Sequence, residues 1–344
     1  MILNSNGREK QVISAIKLDE IDTKILKDLL IDGRKQFTEI AKEARVSKDI
    51  IWQHYANMKK KGIIIGATIQ LNYASLGYNL SASFFIYNLP KEQRQVIEQL
   101  RKIPGLYDAY RWGSLSRIWA VSDMIRADQL EQIKQSVLKL PSVQRLEVEI
   151  WTGSRNMPEN LSVLTNNKIS YDMEKTKTPT KNRIDAIDMQ LIEKLVANSR
   201  ASFNKISKEL GISTSTAIRR YDNLKRKGII RAVIQINPIK IGYPISACFR
   251  LKTDSQLKLD SVANKITEVP DVIGILKTTG AYDLTILMEI KNFEHFLTLE
   301  NKIANIDGVR EMETASLNQF PTLPYPREHI SSFYRINSND NNSR

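Results

Sequence analysis

The sequence predicts an α+β chain of two tandem units, each a helix-turn-helix followed by a ferredoxin-like βαββαβ unit. Three observations carry this. First, the 344-residue chain repeats itself: residues 18–63 laid on 184–229, an offset of 166, give 16 identities in 46 pairs without a gap. These include Asp22/Asp188, Arg34/Arg200, Phe37/Phe203, Ser47/Ser213, Tyr55/Tyr221 and Gly62/Gly228. Second, inside each copy the apolar period changes from helical to an alternation of strands and helices. Third, a polar, charged stretch without clear period, residues 155–183, separates the copies and reads as a linker.

The first half of each copy holds three helices. Ile21, Ile25, Leu26, Leu29 and Leu30 make one apolar stripe over 19–31, and Ile187, Leu191, Ile192 and Leu195 repeat it over 185–197. A short second helix follows from Thr38 and from Asn204, both expected as N-caps. A tight turn comes next: Gly211 supplies the positive φ of a helix end in the second copy, and Arg45 replaces it in the first. Ser47 and Ser213 are the N-caps expected for a third helix, which ends before Gly62 or Gly228. Two short helices, a turn and a longer helix form a helix-turn-helix, whose last helix enters the major groove of DNA.

Composition points the same way. There are 51 Lys and Arg against 38 Asp and Glu, a formal net charge of +13, which favours a polyanionic partner. On the third helix of copy two, Ser213, Thr214, Ser215 and Thr216 are small hydroxyl side chains that allow close approach. Arg219 and Arg220 follow one turn later, and Arg bonds guanine O6 and N7 in a bidentate way. Lys225, Arg226 and Lys227 suit phosphates. Copy one offers Lys48, then Gln53 and His54 in place of the two arginines, with Lys59 and Lys60 for phosphates. Its Asp49 repels them. Copy two is therefore the expected principal reader of double-stranded DNA, with copy one adding phosphate affinity and spacing.

In the second half of each copy, residues 81–87 and 245–251 read as strands, 91–102 and 257–268 as helices. Two strands, a helix and a closing strand follow, ending at 151 and at 317. The order is βαββαβ. Such a sheet carries helices on one face only, so its other face needs a cover, and a second copy supplies one. The expected divisions are 17–66 and 184–232 for the heads, 67–154 and 233–321 for the ferredoxin-like units, and 322–344 for a flexible tail.

The run Leu18-Asp19, Asp22, Asp32-Gly33-Arg34, Ile40-Ala41, Ser47, Lys61-Gly62-Ile63-Ile64, Leu76-Gly77 and Pro141-Ser142-Val143 resembles the leucine-responsive/asparagine-regulator (Lrp/AsnC) family. Copy two matches it more fully, through Gly211-Ile212-Ser213, Arg219-Arg220, Gly228-Ile229-Ile230, Thr279-Gly280-Ala281-Tyr282-Asp283 and Asp307-Gly308-Val309. The resemblance implies a transcriptional regulator with a winged helix-turn-helix, a hinge strand and a ferredoxin-like ligand-sensing domain. It further implies homo-oligomers built through the sensing domains, and an amino acid or similar small molecule as effector. Carried over, Gly280, Tyr282 and Asp283 are the effector-site candidates. A carboxylate there can pair an α-amino group. In copy one the loop reads Gly113-Ser114-Leu115-Ser116, with Ser116 in place of the Asp. Family members are half as long, so this chain reads as a covalent pseudo-dimer, and its unlike heads imply an operator with unlike half-sites.

Other classes fare less well. Cys248 is the one cysteine, in an apolar run, so no disulfide and no cysteine-based zinc site is expected. The N-terminus has no signal-peptide pattern and no apolar run spans a bilayer, which predicts a cytoplasmic protein. No cofactor or metal is expected. Siroheme decarboxylases resemble the same family and use paired copies, but the three histidines, His54, His295 and His329, are far apart in sequence. A scaffold or ligand-sensing protein without DNA binding is the other alternative.

Overall fold

The computed structural model describes residues 15–164, 184–317 and 322–324. The first half runs α1 (Glu20–Ile31), α2 (Phe37–Ala44), α3 (Lys48–Lys60), β1 (Ile64–Leu71), β2 (Leu80–Asn88), α4 (Gln93–Leu100), β3 (Tyr107–Arg111), β4 (Arg117–Met124), α5 (Asp128–Leu138) and β5 (Val143–Asn156). The second half repeats that order as α6 (Ala186–Ala197), α7 (Phe203–Leu210), α8 (Thr214–Arg226), β6 (Ile230–Ile236), β7 (Ile245–Thr253), α9 (Leu259–Thr267), β8 (Val272–Thr279), β9 (Leu284–Ile290), α10 (Phe293–Ala304) and β10 (Val309–Leu317).

Local chemistry sets the helix ends. The Asp19 side chain accepts from the Asp22 amide at 2.8 Å, and Asp185 from Asp188 at 2.8 Å; each closes a capping box on α1 or α6. Ser47 and Ser213 cap α3 and α8 as expected. Thr38 and Asn204 are not caps: the caps of α2 and α7 are two residues earlier, at Gln36 and Ser202, and Ser202 accepts from the Lys205 amide. Arg45 holds a left-handed φ of 56° where Gly211 has 66°, so the turn keeps its shape with the wrong residue type in the first half.

The two heads are exchanged. β1 and β6, the expected hinge strands, form an antiparallel ribbon with Thr68 opposite Val233. α1 packs on β6 and α6 on β1, so each three-helix head lies against the other half's strand. Ile234, Ile236 and Ile241 accordingly join the cluster of Leu26 and Leu30, while Ile69 and Tyr73 join that of Leu191 and Leu195. Gly33 makes the closest approach: its amide donates to the Ala232 carbonyl at 2.7 Å, and a Cβ there would lie 2.6 Å from the Val233 backbone.

The other eight strands form one sheet in the order β10-β7-β9-β8-β5-β2-β4-β3. β5 pairs with β8 across the halves, from Ile150 opposite Thr279 to Asn156 opposite Gly274. At the other end Trp112 bridges Leu317, so the sheet closes on itself. Separate apolar clusters back it with helices: Phe84, Val96, Ile118 and Val137 in the first half, Phe249, Val262, Ile286 and Ile303 in the second.

Two expected segments differ. The region from 155 begins as structure rather than linker: β5 runs to Asn156, and Met157, Asn160, Leu161 and Leu164 are buried. The Asn160 amide donates to the Val269 and Val272 carbonyls, at 2.9 and 3.0 Å, and Asp271 accepts from Ser162. Residues 165–183 lie outside the described residues. Of the expected tail, Leu323 pairs with Ile236 and is buried; 325–344 lie outside the described residues.

Candidate nucleic-acid interface

α8 turns Ala217, Tyr221 and Leu224 inward and leaves Thr214, Ser215, Ile218, Arg219, Asp222, Lys225 and Arg226 exposed. The stagger is what a 13-residue helix with one apolar stripe must show. At its start the hydroxyls are ordered by the cap: Ser213 Oγ accepts from the Thr216 amide at 3.1 Å and lies 2.9 Å from Ser215 Oγ and from Thr216 Oγ1. Thr214 is tied to Ser207, 3.0 Å away. Arg219 makes no ion pair among the described residues and lines an open groove with Ser215, Ile218, Asn223 and Arg226.

Arg220 does something else. One of its guanidinium nitrogens donates to Asp185 and to Asp188, both at 2.7 Å, which fastens α8 to the capped start of α6. The hydrogen bonds it donates to Asp188 and Asp185 raise the guanidinium pKa. The paired Arg219-Arg220 reader expected from sequence is thus divided: Arg219 faces solvent and Arg220 braces the head. In the first half His54 takes that bracing position, with Nδ1 2.9 Å from Asp22 and 3.5 Å from Asp19. The ligand atoms of Asp19, Asp22 and His54 also lie within 4.8 Å of one another. Arg220 occupies the equivalent carboxylates in the second half, so in both heads this position is filled by a side chain of the third helix.

α3 exposes Lys48, Asp49, Trp52, Gln53, Lys59 and Lys60. Lys225 pairs with Asp32 of the other head at 2.7 Å, and Lys227 is exposed at the end of α8.

Sequence reading missed what fixes the heads. Arg34 lies 4.0 Å above the Phe203 ring and 5.3 Å from that of Tyr221, and donates to the carbonyls of Ser199 and Ala201. Arg200 returns the contact, over Phe37 at 4.7 Å and Tyr55 at 5.5 Å, donating to the Gly33 carbonyl. Burial pulls both guanidinium pKa values down, and neither has a carboxylate partner among the described residues. Carbonyls and aromatic faces replace water instead. Their identity in both copies was the available signal.

The effector candidates sit where the halves meet. A Cβ on Gly280 would lie 3.0 Å from Glu149 Cγ; the Tyr282 amide donates to Glu149 at 3.1 Å, and its ring faces Arg250 at 4.2 Å. Asp283 is occupied: it accepts from the Thr253 amide at 2.8 Å, the Thr253 hydroxyl at 3.1 Å and Gln256 at 2.8 Å. An α-amino group must displace these donors to reach it. The strand register sets Arg117 rather than Ser116 at the position of Asp283: Tyr87 is opposite Arg117, and Leu251 opposite Leu284.

Comparison with known proteins gives the context. The AsnC-type helix-turn-helix domain matches residues 184–225, and the Lrp/AsnC ligand binding domain matches 246–317. The HTH-type transcriptional regulator FL11 of Pyrococcus furiosus is 30% identical over 132 residues, 38% of this chain and 87% of that protein. The HTH-type transcriptional regulator Ptr1 of Methanocaldococcus jannaschii is 33% identical over 132 residues, 37% of this chain and 88% of that protein. The crystal structure of the siroheme decarboxylase NirDL is similar in fold along nearly the whole chain, with a TM-score of 0.61 at 13% identity, covering 95% of this chain and all of that one. No helix among the described residues is long and apolar enough to cross a membrane. The chain belongs to the Lrp/AsnC family.

Proposed function

We propose that the chain is a DNA-binding transcriptional regulator formed of two fused copies of a head and a sensing unit, with α8 as the principal reader of base edges. The observation that carries this is the front of α8: a capped helix start bearing Thr214 and Ser215, then an exposed Arg219 with no ion pair among the described residues, with Arg226 and Lys227 behind. Small hydroxyls allow close approach to the groove floor, Arg219 suits guanine, and the basic end suits phosphates. α3 adds Lys59 and Lys60 to the phosphate contacts. The unlike fronts of α3 and α8 fit unlike half-sites. The sensing units take an amino acid or a similar small molecule, with Gly280 and Tyr282 on the wall, and chains associate further through these units.

The siroheme decarboxylase fold likeness keeps an enzymatic reading in view, but the two described histidines are engaged with carboxylates, His54 with Asp22 and His295 with Asp271 at 3.2 Å. The test is fluorescence anisotropy with duplex DNA from upstream of the gene, against a shuffled duplex, at several salt concentrations. Preference for the upstream duplex and a steep loss of affinity with salt are expected. No binding to either duplex at low salt overturns the reading.

A further inference from the structure

The sensing units meet at two seams, and the strand registers fix which positions correspond. Phe85 lies opposite Glu147, and Arg250 opposite Glu313. Ser83 lies opposite Glu149, and Cys248 opposite Ala315, so Glu149 corresponds to Ala315. The contacts across the seams reciprocate. The loop of Gly280 abuts Glu149, and that of Gly113 abuts Ala315, 3.4 Å from a Cβ built on the glycine. Phe85 and Arg250, counterparts of each other, also touch: the guanidinium lies 3.8 Å above the ring. A residue in contact with its own counterpart stands on the local twofold axis.

Around that axis the chemistry is not shared equally. Arg250 is 1% exposed and Glu149 fully buried. Arg250 donates to Glu149 at 2.6 Å and to Glu313 at 2.8 Å. The symmetry-related place holds Phe85 and Ala315 in an apolar cluster with Trp112, whose ring is 5.0 Å from that of Phe85. A second cross-seam pair joins Arg117 to Glu313. Its counterpart positions carry Asp283 and Glu147, two acids that do not pair with each other: Asp283 accepts from Thr253 and Gln256, and Glu147 from Tyr87 and Arg145, with Arg250 3.7 Å away.

We infer that these seams form a pairing code: the first sensing unit accepts the second, and neither accepts a copy of itself. A first–first pair sets Glu149 against the partner's equivalent of Phe85, leaving two buried carboxylates without Arg250. A second–second pair sets Arg250 against Ala315 and brings Asp283 towards Glu313. Each loses a buried ion pair twice over, which discriminates strongly because an unpaired buried charge is far costlier than an apolar contact. The chain therefore closes on itself and resists exchange with other chains through this face. The inference rests on the reading as two fused copies and not on DNA binding.

The test uses the full chain. Arg250→Phe strands the buried Glu149, and Glu149→Ala leaves Arg250 to Glu313 and Glu147; each is expected to lower the unfolding midpoint by about 5–10 °C. Together they rebuild the apolar pair of the other place and recover to within about 3 °C of wild type. Two differently tagged chains, refolded together, then copurify several-fold more in the double variant than in wild type. Midpoints of the single variants within about 2 °C of wild type, no recovery in the double variant, or unchanged copurification overturns the code. If neither single variant folds, the double variant decides alone, supporting the code when it folds cooperatively and exchanges, and overturning it when it does not. Anisotropy with DNA is read separately, so loss of the regulator reading leaves this result standing.

Discussion

The two heads share a scaffold and differ on their faces. Both cap their first helix with an Asp-x-x-Asp box, both place a Tyr, Tyr55 or Tyr221, under the other head's arginine, and both lay that arginine on an aromatic pair. The solvent front of the third helix is where they part: Lys48, Asp49, Trp52 and Gln53 stand where the second head has Thr214, Ser215, Ile218 and Arg219. The arginines and aromatic rings that hold one head to the other are the same in both, while the side chains on the solvent front differ. The comparison separates residues that make the platform from residues that face solvent.

That separation can be broken experimentally. The largest effect is expected at Gly33→Ala, whose methyl would stand 2.6 Å from the Val233 backbone; a loss of about 2–3 kcal/mol in thermal or urea unfolding is expected. Ser199→Ala, at the matching position, loses only a 3.3 Å hydroxyl bond to the Val233 carbonyl and about 1 kcal/mol. Equal effects would mean that the heads are not clamped through Gly33. Next comes DNA affinity: Arg219→Ala is expected to weaken specific binding about 10- to 100-fold, and Gln53→Ala less than about threefold. A reversal would make α3 the reader. The smallest effect is a titration. The amide of Asp188, then Arg220, hold the Asp185 carboxyl below the usual carboxylate range. A folded-state value below the unfolded one stabilises above the unfolded pKa, and that stability is lost as pH falls through the folded value. Arg220→Ala is expected to move the Asp185 carboxyl upward by carbon-detected NMR, so the loss on acidification spans a narrower pH window. An unmoved carboxyl would mean that Arg220 does not brace the helix start.

Much of this was legible. The repeat, the order of elements and the ends of α3 and α8 follow from periodicity and from capping serines, because these are local. What depended on distant partners was not legible. Nothing near Arg220 in sequence says that Asp185 and Asp188 await it, so it read as a base contact. The polar run from 155 hid Met157, Asn160 and Leu161, which are buried only because Val269 and Asp271 lie across from them. Arg250 was visible as a charge in an apolar strand, but its partner Glu149 is 101 residues away. Thr38 and Asn204 were each misplaced as caps by two residues, within the ordinary disagreement over helix ends.

The exchange of heads also sets a timetable. Helices α1 to α3 leave the ribosome long before β6, the strand against which α1 packs. Roughly 170 residues must follow, and at about 5–20 residues per second that is on the order of ten to thirty seconds. Through that interval the first head's apolar face waits without its cover. The second head finds β1 already made and finishes as it emerges. Synthesis from one end thus completes both heads at nearly the same moment, and a chain truncated before β6 would leave the first head without its cover.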